Sequence, residues 1–168
     1  LSELDELTRS SQHDPLTGTP NRNLMLDRLE SAINLARRRS TRIAVFFLDL
    51  DNFKEINDTL GHAVGDKLLQ TVASRLTGSL RASDTVARLG GDEFNIVLED
   101  IRDLRGVAQT AQKLIDRVQG MVTLDGHDVY VTASVGIAIY PDDGSTPEVL
   151  RMNADTAMRS EERRVGKE

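Results

Sequence analysis

A chain of 168 residues, 39% apolar and 29% charged, is long enough for one domain with a packed core. Its net charge of −6 and 4% aromatic content argue against a broad nucleic-acid surface or a base-stacking platform. With no cysteine there is no disulfide and no thiolate metal site. No apolar stretch nears the roughly 18 residues of a membrane span, and the start carries no signal-peptide pattern. These properties fit a cytoplasmic domain that binds no nucleic acid and makes no membrane contact through this segment. The parent protein is free to be membrane-anchored upstream.

Residues 1–13 place leucines at 1, 4 and 7 among polar residues, as at the end of an upstream linker or signalling helix. Residues 14–22, DPLTGTPNR, are turn-rich, and Asn21 is a candidate N-cap. Leu24, Leu26, Leu29, Ile33 and Leu35 then mark an amphipathic helix ending in Arg37, Arg38 and Arg39, cations suited to a helix C-terminus. Residues 43–48 are an unbroken apolar run, which predicts a strand buried on both faces. A short helix is expected over 52–59. Residues 61–66 are a loop or the opening of the helix that follows over 67–80. Strand-like runs at 85–89 and 93–98 flank Gly90-Gly91, a hairpin signal. A helix is expected over 104–118. Residues 122–124 and 129–140 bracket Asp125-Gly126 as another hairpin, with period-2 alternation through 131–138. Ser145 or Thr146 caps a last helix carrying Val149, Leu150, Met152 and Ala157, with Pro147 in its first turn.

The order β-α-α-β-β-α-β(β)-α is that of an α+β domain: a split βαβ, ferredoxin-like central antiparallel sheet with flanking helices, of the polymerase-palm and nucleotide-cyclase kind. Helices on one face are the economical packing, and the first strand is central.

Chemistry gathers where that strand ends. The apolar run gives way to Asp49 and Asp51. A carboxylate there is costly without a partner, and strand ends are where ligands collect. Asp49 therefore has two readings, a metal or phosphate-site residue or a cap for the next turn. Lys54, Asn57, His62 and Asp66 follow, with glycines at 61 and 65. Asn and Asp together can read a purine edge. A calcium loop does not fit, because Phe53 and Lys54 stand where a ligand and a glycine are needed. A receiver-domain phosphoacceptor lacks its acidic pair near the chain start. Asp92 and Glu93 adjoin the Gly-Gly turn, and the topology lets Asp49 and Asp92 converge. Convergent carboxylates with a nearby Lys suit one or two Mg²⁺ ions and a nucleoside triphosphate.

RLGGDEF (88–94), FFLDLDNFKEINDTLGHAVGDKLL (46–69), DPLTGTPNR (14–22) and TASVGIA (132–138) together resemble the GGDEF family of diguanylate cyclases. The resemblance covers residues 14–158, with four motifs in order and at the right spacing. It implies condensation of two GTP into cyclic di-GMP and two pyrophosphates. It implies Mg²⁺, with Mn²⁺ an alternative, held by the Asp49 and Asp92 side chains and the Leu50 carbonyl. Asp92 is then also the candidate base for the 3′-hydroxyl, Glu93 its catalytic neighbour, and Lys54 the stabiliser of developing phosphate charge. Asn57 and Asp66 would read guanine, with His62 lining the pocket. The backbone at Asn52 and Phe53 would cradle phosphates, and Gly90 and Gly91 would let the nucleotide approach. One domain holds one GTP, so a homodimer is implied for catalysis. Arg81 and Asp84 match the family's RxxD product-inhibition site for cyclic di-GMP.

Two departures stand out. Thr19 occupies a position where the family usually has Leu. After Met158 the family pattern continues with Tyr, Ala-Lys and Gly-Arg, but this chain reads RSEERRVGKE, so the phosphate-binding Lys falls at Glu162 and the Arg at Gly166. An acid beside a triphosphate repels it. The ten residues 159–168 match what a sequencing-adapter read encodes, so they are expected to be non-native read-through. The alternative function is a catalytically impaired regulatory module that binds GTP or cyclic di-GMP. Asp92→Ala separates the two, abolishing synthesis while a binding role survives.

Overall fold

The computed structural model describes Glu3 and residues 11–160. The leucines at 1, 4 and 7 and the tail beyond Ser160 lie outside the described residues. Helix α1 spans Arg22–Arg39; Asn21 caps it by accepting from the Leu24 N–H at 3.1 Å, and Ser40 ends it in the left-handed conformation. Strand β1, Arg42–Leu50, follows, then helices α2 (Phe53–Leu60) and α3 (His62–Gly78). Gly61, at φ 95°, separates those helices, a conformation that favours glycine. The 61–66 segment is thus mostly the first turns of α3. Strands β2 (Thr85–Gly90) and β3 (Glu93–Ile101), helix α4 (Arg105–Val118), strands β4 (Gly120–Leu124), β5 (His127–Val131) and β6 (Ala133–Tyr140), and helix α5 (Pro147–Arg159) complete the order.

The main sheet runs β2-β3-β1-β6, all antiparallel, with β1 inside as expected. Helices cover both faces rather than one. Ala44, Phe46, Leu48 and Leu50 point into a core with α2, α3, α4 and the β4–β5 ribbon. Ile43, Val45 and Phe47 point into a second core with α1 and α5. A strand apolar on successive residues requires this, because burying each such side chain is worth roughly 1.5–3 kcal/mol. Gly136 lets α5 lie directly on β6: a Cβ there would collide with the Met158 nitrogen and the Ala154 oxygen.

One further expectation changes. The strand expected over 129–140 is broken at Thr132, and β4–β5 form a separate two-stranded sheet. The break is held from outside: the Asp51 N–H donates to the Thr132 carbonyl at 2.9 Å and the Thr132 N–H to Asn52 Oδ1 at 3.4 Å. In α5, Leu150, Ala154, Ala157 and Met158 face the core, whereas Val149 and Met152 are exposed. Thr146 is the residue that caps α5.

Candidate active site

The site lies at the end of β1. Asp49 stands opposite Glu93 of β3 on one side and Ser134 of β6 on the other. Paired residues share a sheet face, so these three form a row. Asp92 sits in the tight β2–β3 turn, after Gly90 and Gly91 at φ 151° and 50°. The structure therefore brings Asp49, Asp92 and Glu93 together. The Asp49 carboxyl is pushed up to about 8, by burial first, then by a hydrogen bond with the Asp92 carboxyl and the negative charges of Asp92 and Glu93. Arg159, 3.7 Å from Glu93 Oε1, opposes that shift.

Asp49 Oδ1 is buried with no hydrogen-bond partner. Crowded acids with an orphaned acceptor are what a hard divalent cation relieves, so these residues fit one. Among the described residues no group of three or more acidic or histidine side chains is placed to hold a metal ion, so at most two carboxylates would ligate one here. Such an ion would complete its shell from backbone, water and phosphate, as Mg²⁺ commonly does. Leu50 follows Asp49 at the last position of β1.

The expected nucleotide residues lie on α2 and α3, the two helices that follow β1. Lys54 is exposed in the first turn of α2 and has no ion-pair partner among the described residues. Asn57 lies on α2 and leans onto Gly65 of α3, where a Cβ would collide with Asn57 Oδ1. That Oδ1 is itself buried and unpartnered, an acceptor available to a donor on a ligand. His62 and Asp66 are exposed near the start of α3.

The loop joining β1 to α2 is tied to the β5–β6 break. Asn52 Nδ2 donates to the Tyr130 carbonyl at 2.6 Å, and Ser134 Oγ donates to Asp51 Oδ1 at 2.7 Å. Sequence reasoning gave neither Asp51 nor Ser134 a role. It also left Arg88 as one letter of a motif. In the structure the Arg88 Nη1 donates to Asp14 Oδ1 at 2.8 Å and its Nε to the Gly91 carbonyl at 2.9 Å. A motif-internal Arg and a turn Asp are legible separately, but their pairing is not.

The expected inhibitory pair is in contact. Asp84, its side chain 3% exposed, accepts from the Arg81 N–H, from Arg81 Nε and Nη2 and from the Glu99 N–H. Arg81 also donates to the Glu99 carbonyl at 2.8 Å. Both residues line an open cavity of about 330 Å³ with Arg102, Thr110 and Lys113. It lies between the 79–84 segment, the end of β3 and α4, and Asp49 is not part of its lining.

The family model for "Diguanylate cyclase, GGDEF domain" matches residues 11–167. The chain belongs to the GGDEF family of diguanylate cyclases. It is 49% identical over 153 residues to the bifunctional diguanylate cyclase/cyclic di-GMP phosphodiesterase MucR of Pseudomonas aeruginosa, covering 91% of this chain and 22% of that one. The chain thus spans about a fifth of that relative's length. A sensory box/GGDEF family protein of Caulobacter crescentus superposes with a TM-score of 0.84 at 43% identity, covering 88% of this chain and 95% of the other. The coiled coil and GGDEF domain of DgcB from Caulobacter crescentus, in complex with c-di-GMP, superposes at 0.85 with 28% identity, covering 95% and 85%.

Proposed function

We propose that this domain condenses two GTP into cyclic di-GMP and two pyrophosphates, in a homodimer of facing domains. The observation that carries the reading is the crowding of Asp49, Asp92 and Glu93 around a buried, unpartnered carboxylate oxygen. Asp49, Asp92 and the Leu50 carbonyl would hold Mg²⁺, or Mn²⁺ in its place. A divalent ion at that point supplies charge neutralisation for the triphosphate and a lowered pKa for the attacking hydroxyl.

The chain's own residues do the rest. Asn57 and Asp66 hold the guanine edge, and His62 lines the same pocket. The backbone at Asn52 and Phe53 takes phosphate oxygens, Gly90 and Gly91 leave room for the nucleotide, and Lys54 meets negative charge as it develops. Asp92 accepts the proton of the 3′-hydroxyl, with Glu93 beside it. Each domain brings one GTP, so the hydroxyl of one nucleotide lies in line with the α-phosphorus of the other only across a dimer. Arg81 and Asp84 bind the product cyclic di-GMP at the separate cavity and limit synthesis.

The test is product chromatography after incubation with GTP and Mg²⁺, beside GTP binding by calorimetry, for a version of the chain carrying Glu162→Lys and Gly166→Arg and for the same version with Asp92→Ala. The reading expects synthesis to fall by about 10³-fold in the variant, the scale of a lost acid–base group, with GTP binding retained. Equal product from both would overturn it. GTP binding without any product from either would favour a regulatory module.

A further inference from the structure

An Asn at a helix N-cap ordinarily adopts extended geometry and accepts a hydrogen bond from a leading N–H of the helix. Asn52 precedes α2 and does neither: its φ and ψ are −116° and 21°, and its side chain makes no capping bond. Its amide is committed instead to a segment about eighty residues away, donating to the Tyr130 carbonyl at 2.6 Å and accepting from the Thr132 N–H at 3.4 Å. Asp51 is held there too, its N–H on the Thr132 carbonyl at 2.9 Å and its Oδ1 on the Ser134 hydroxyl at 2.7 Å. Ser134 is fully buried and stands opposite Asp49. The break between β5 and β6 and the loop between β1 and α2 are thus one hydrogen-bonded unit, beside the acidic row.

We propose that Asp51, Asn52 and Ser134 are positioning residues for the triphosphate. They bind the β1–α2 loop to residues 130–134, so that the leading N–H groups of α2 stay clear of side-chain caps and take phosphate oxygens as their acceptors. The diverted amide of Asn52 is the device. An uncapped helix start leaves donors unsatisfied, and an anion there satisfies them. This rests on the reading of the site as a GTP site and assigns residues that would not touch the nucleotide with their side chains.

The experiment compares GTP with guanosine, each titrated calorimetrically in Mg²⁺ into the chain and into Asn52→Ala, Ser134→Ala and Ser134→Thr. Ser134→Ala removes one oxygen and keeps the proposal testable where Asn52→Ala folds poorly. The expected result is GTP affinity about tenfold weaker, about 1.4 kcal/mol, in both Ala variants. Guanosine affinity stays unchanged, and Ser134→Thr restores GTP. Equal loss of both ligands would assign these residues a structural role only and overturn the proposal. Retained GTP preference in the Ala variants would overturn it while leaving the site reading intact. If even a version carrying Glu162→Lys and Gly166→Arg binds GTP no tighter than guanosine, the site reading and this proposal are overturned together.

Discussion

Arg88 and Asp14 form an ion pair at 2.8 Å with side chains only 15% and 11% exposed. Through Arg88 Nε on the Gly91 carbonyl, it fastens the turn carrying Asp92 to the segment by which the chain enters the domain. Asp14 is shared with the Thr17 N–H and hydroxyl, so one carboxylate organises both turns. Removing either partner leaves a largely buried charge uncompensated. Arg88→Met or Asp14→Ala is expected to cost about 2–4 kcal/mol in urea unfolding, toward the range for broken buried pairs. The double variant should cost less than the sum. Additive losses would show that the two residues act independently.

Gly136 sets how closely α5 lies on the sheet. A methyl at this position meets the backbone of α5 at Ala154 and Met158, so it cannot be relieved by a rotamer change. Gly136→Ala is expected to lower stability by about 1–3 kcal/mol, as overpacking does, and to shift amide resonances in α5. A variant as stable as the parent would mean that α5 moves away freely.

Asn95 is fully buried in β3, and neither its Oδ1 nor its Nδ2 has a hydrogen-bond partner. It faces the α1–α5 core beside Phe47 and Ala87. An unsatisfied buried amide costs about 1–3 kcal/mol. Asn95→Leu, similar in volume, is therefore expected to leave stability unchanged or raise it by about 1 kcal/mol. A loss beyond about 1 kcal/mol would show that the amide is satisfied by ordered water.

The raised Asp49 gives a pH signature in metal-free protein. In the folded state the carboxyl holds its proton to about 8, against 3.8 ordinarily. Below the lower value both states are protonated, and the group contributes nothing. Between the two, the unfolded chain has released a proton that the folded chain keeps. Stability from this group therefore falls as pH rises from about 4 to about 8, then levels. Melting in EDTA should show a decline from pH 5 to 8 that Asp49→Asn flattens and millimolar Mg²⁺ reduces. A decline unchanged in Asp49→Asn would place its source elsewhere.

Much of this was readable in the residues, for definite reasons. The run 43–48 is apolar without alternation because β1 is covered on both faces, and that pattern survives in any context. The same run should have ruled out helices on one face only. Asp49 stood out because charge at the end of a buried strand needs a cause, whereas Asp92 and Lys54 took their roles mainly from the motifs around them. The inward line of α1 was blurred because Met25, Ala32 and Ala36 are buried while Leu35 is only half-buried. Small residues carry little pattern signal, and Leu35 carries much. The break at Thr132 left no local trace: period-2 alternation runs through it, and the groups that cut it, Asp51 and Asn52, are remote in sequence. Arg159 drew no attention at the start of the segment that departs from the family pattern, yet it ion-pairs with Asp155 at 2.7 Å and reaches Glu93.

The most direct measurement is the yield of cyclic di-GMP from GTP and Mg²⁺ by this chain and by a version carrying Glu162→Lys and Gly166→Arg. The account predicts product from the repaired version and little or none from the chain itself, because the acidic centre is complete and the two phosphate cations are not. Product from neither, in samples shown to be folded and dimeric, would contradict the assignment of Asp49, Asp92 and Glu93 to synthesis.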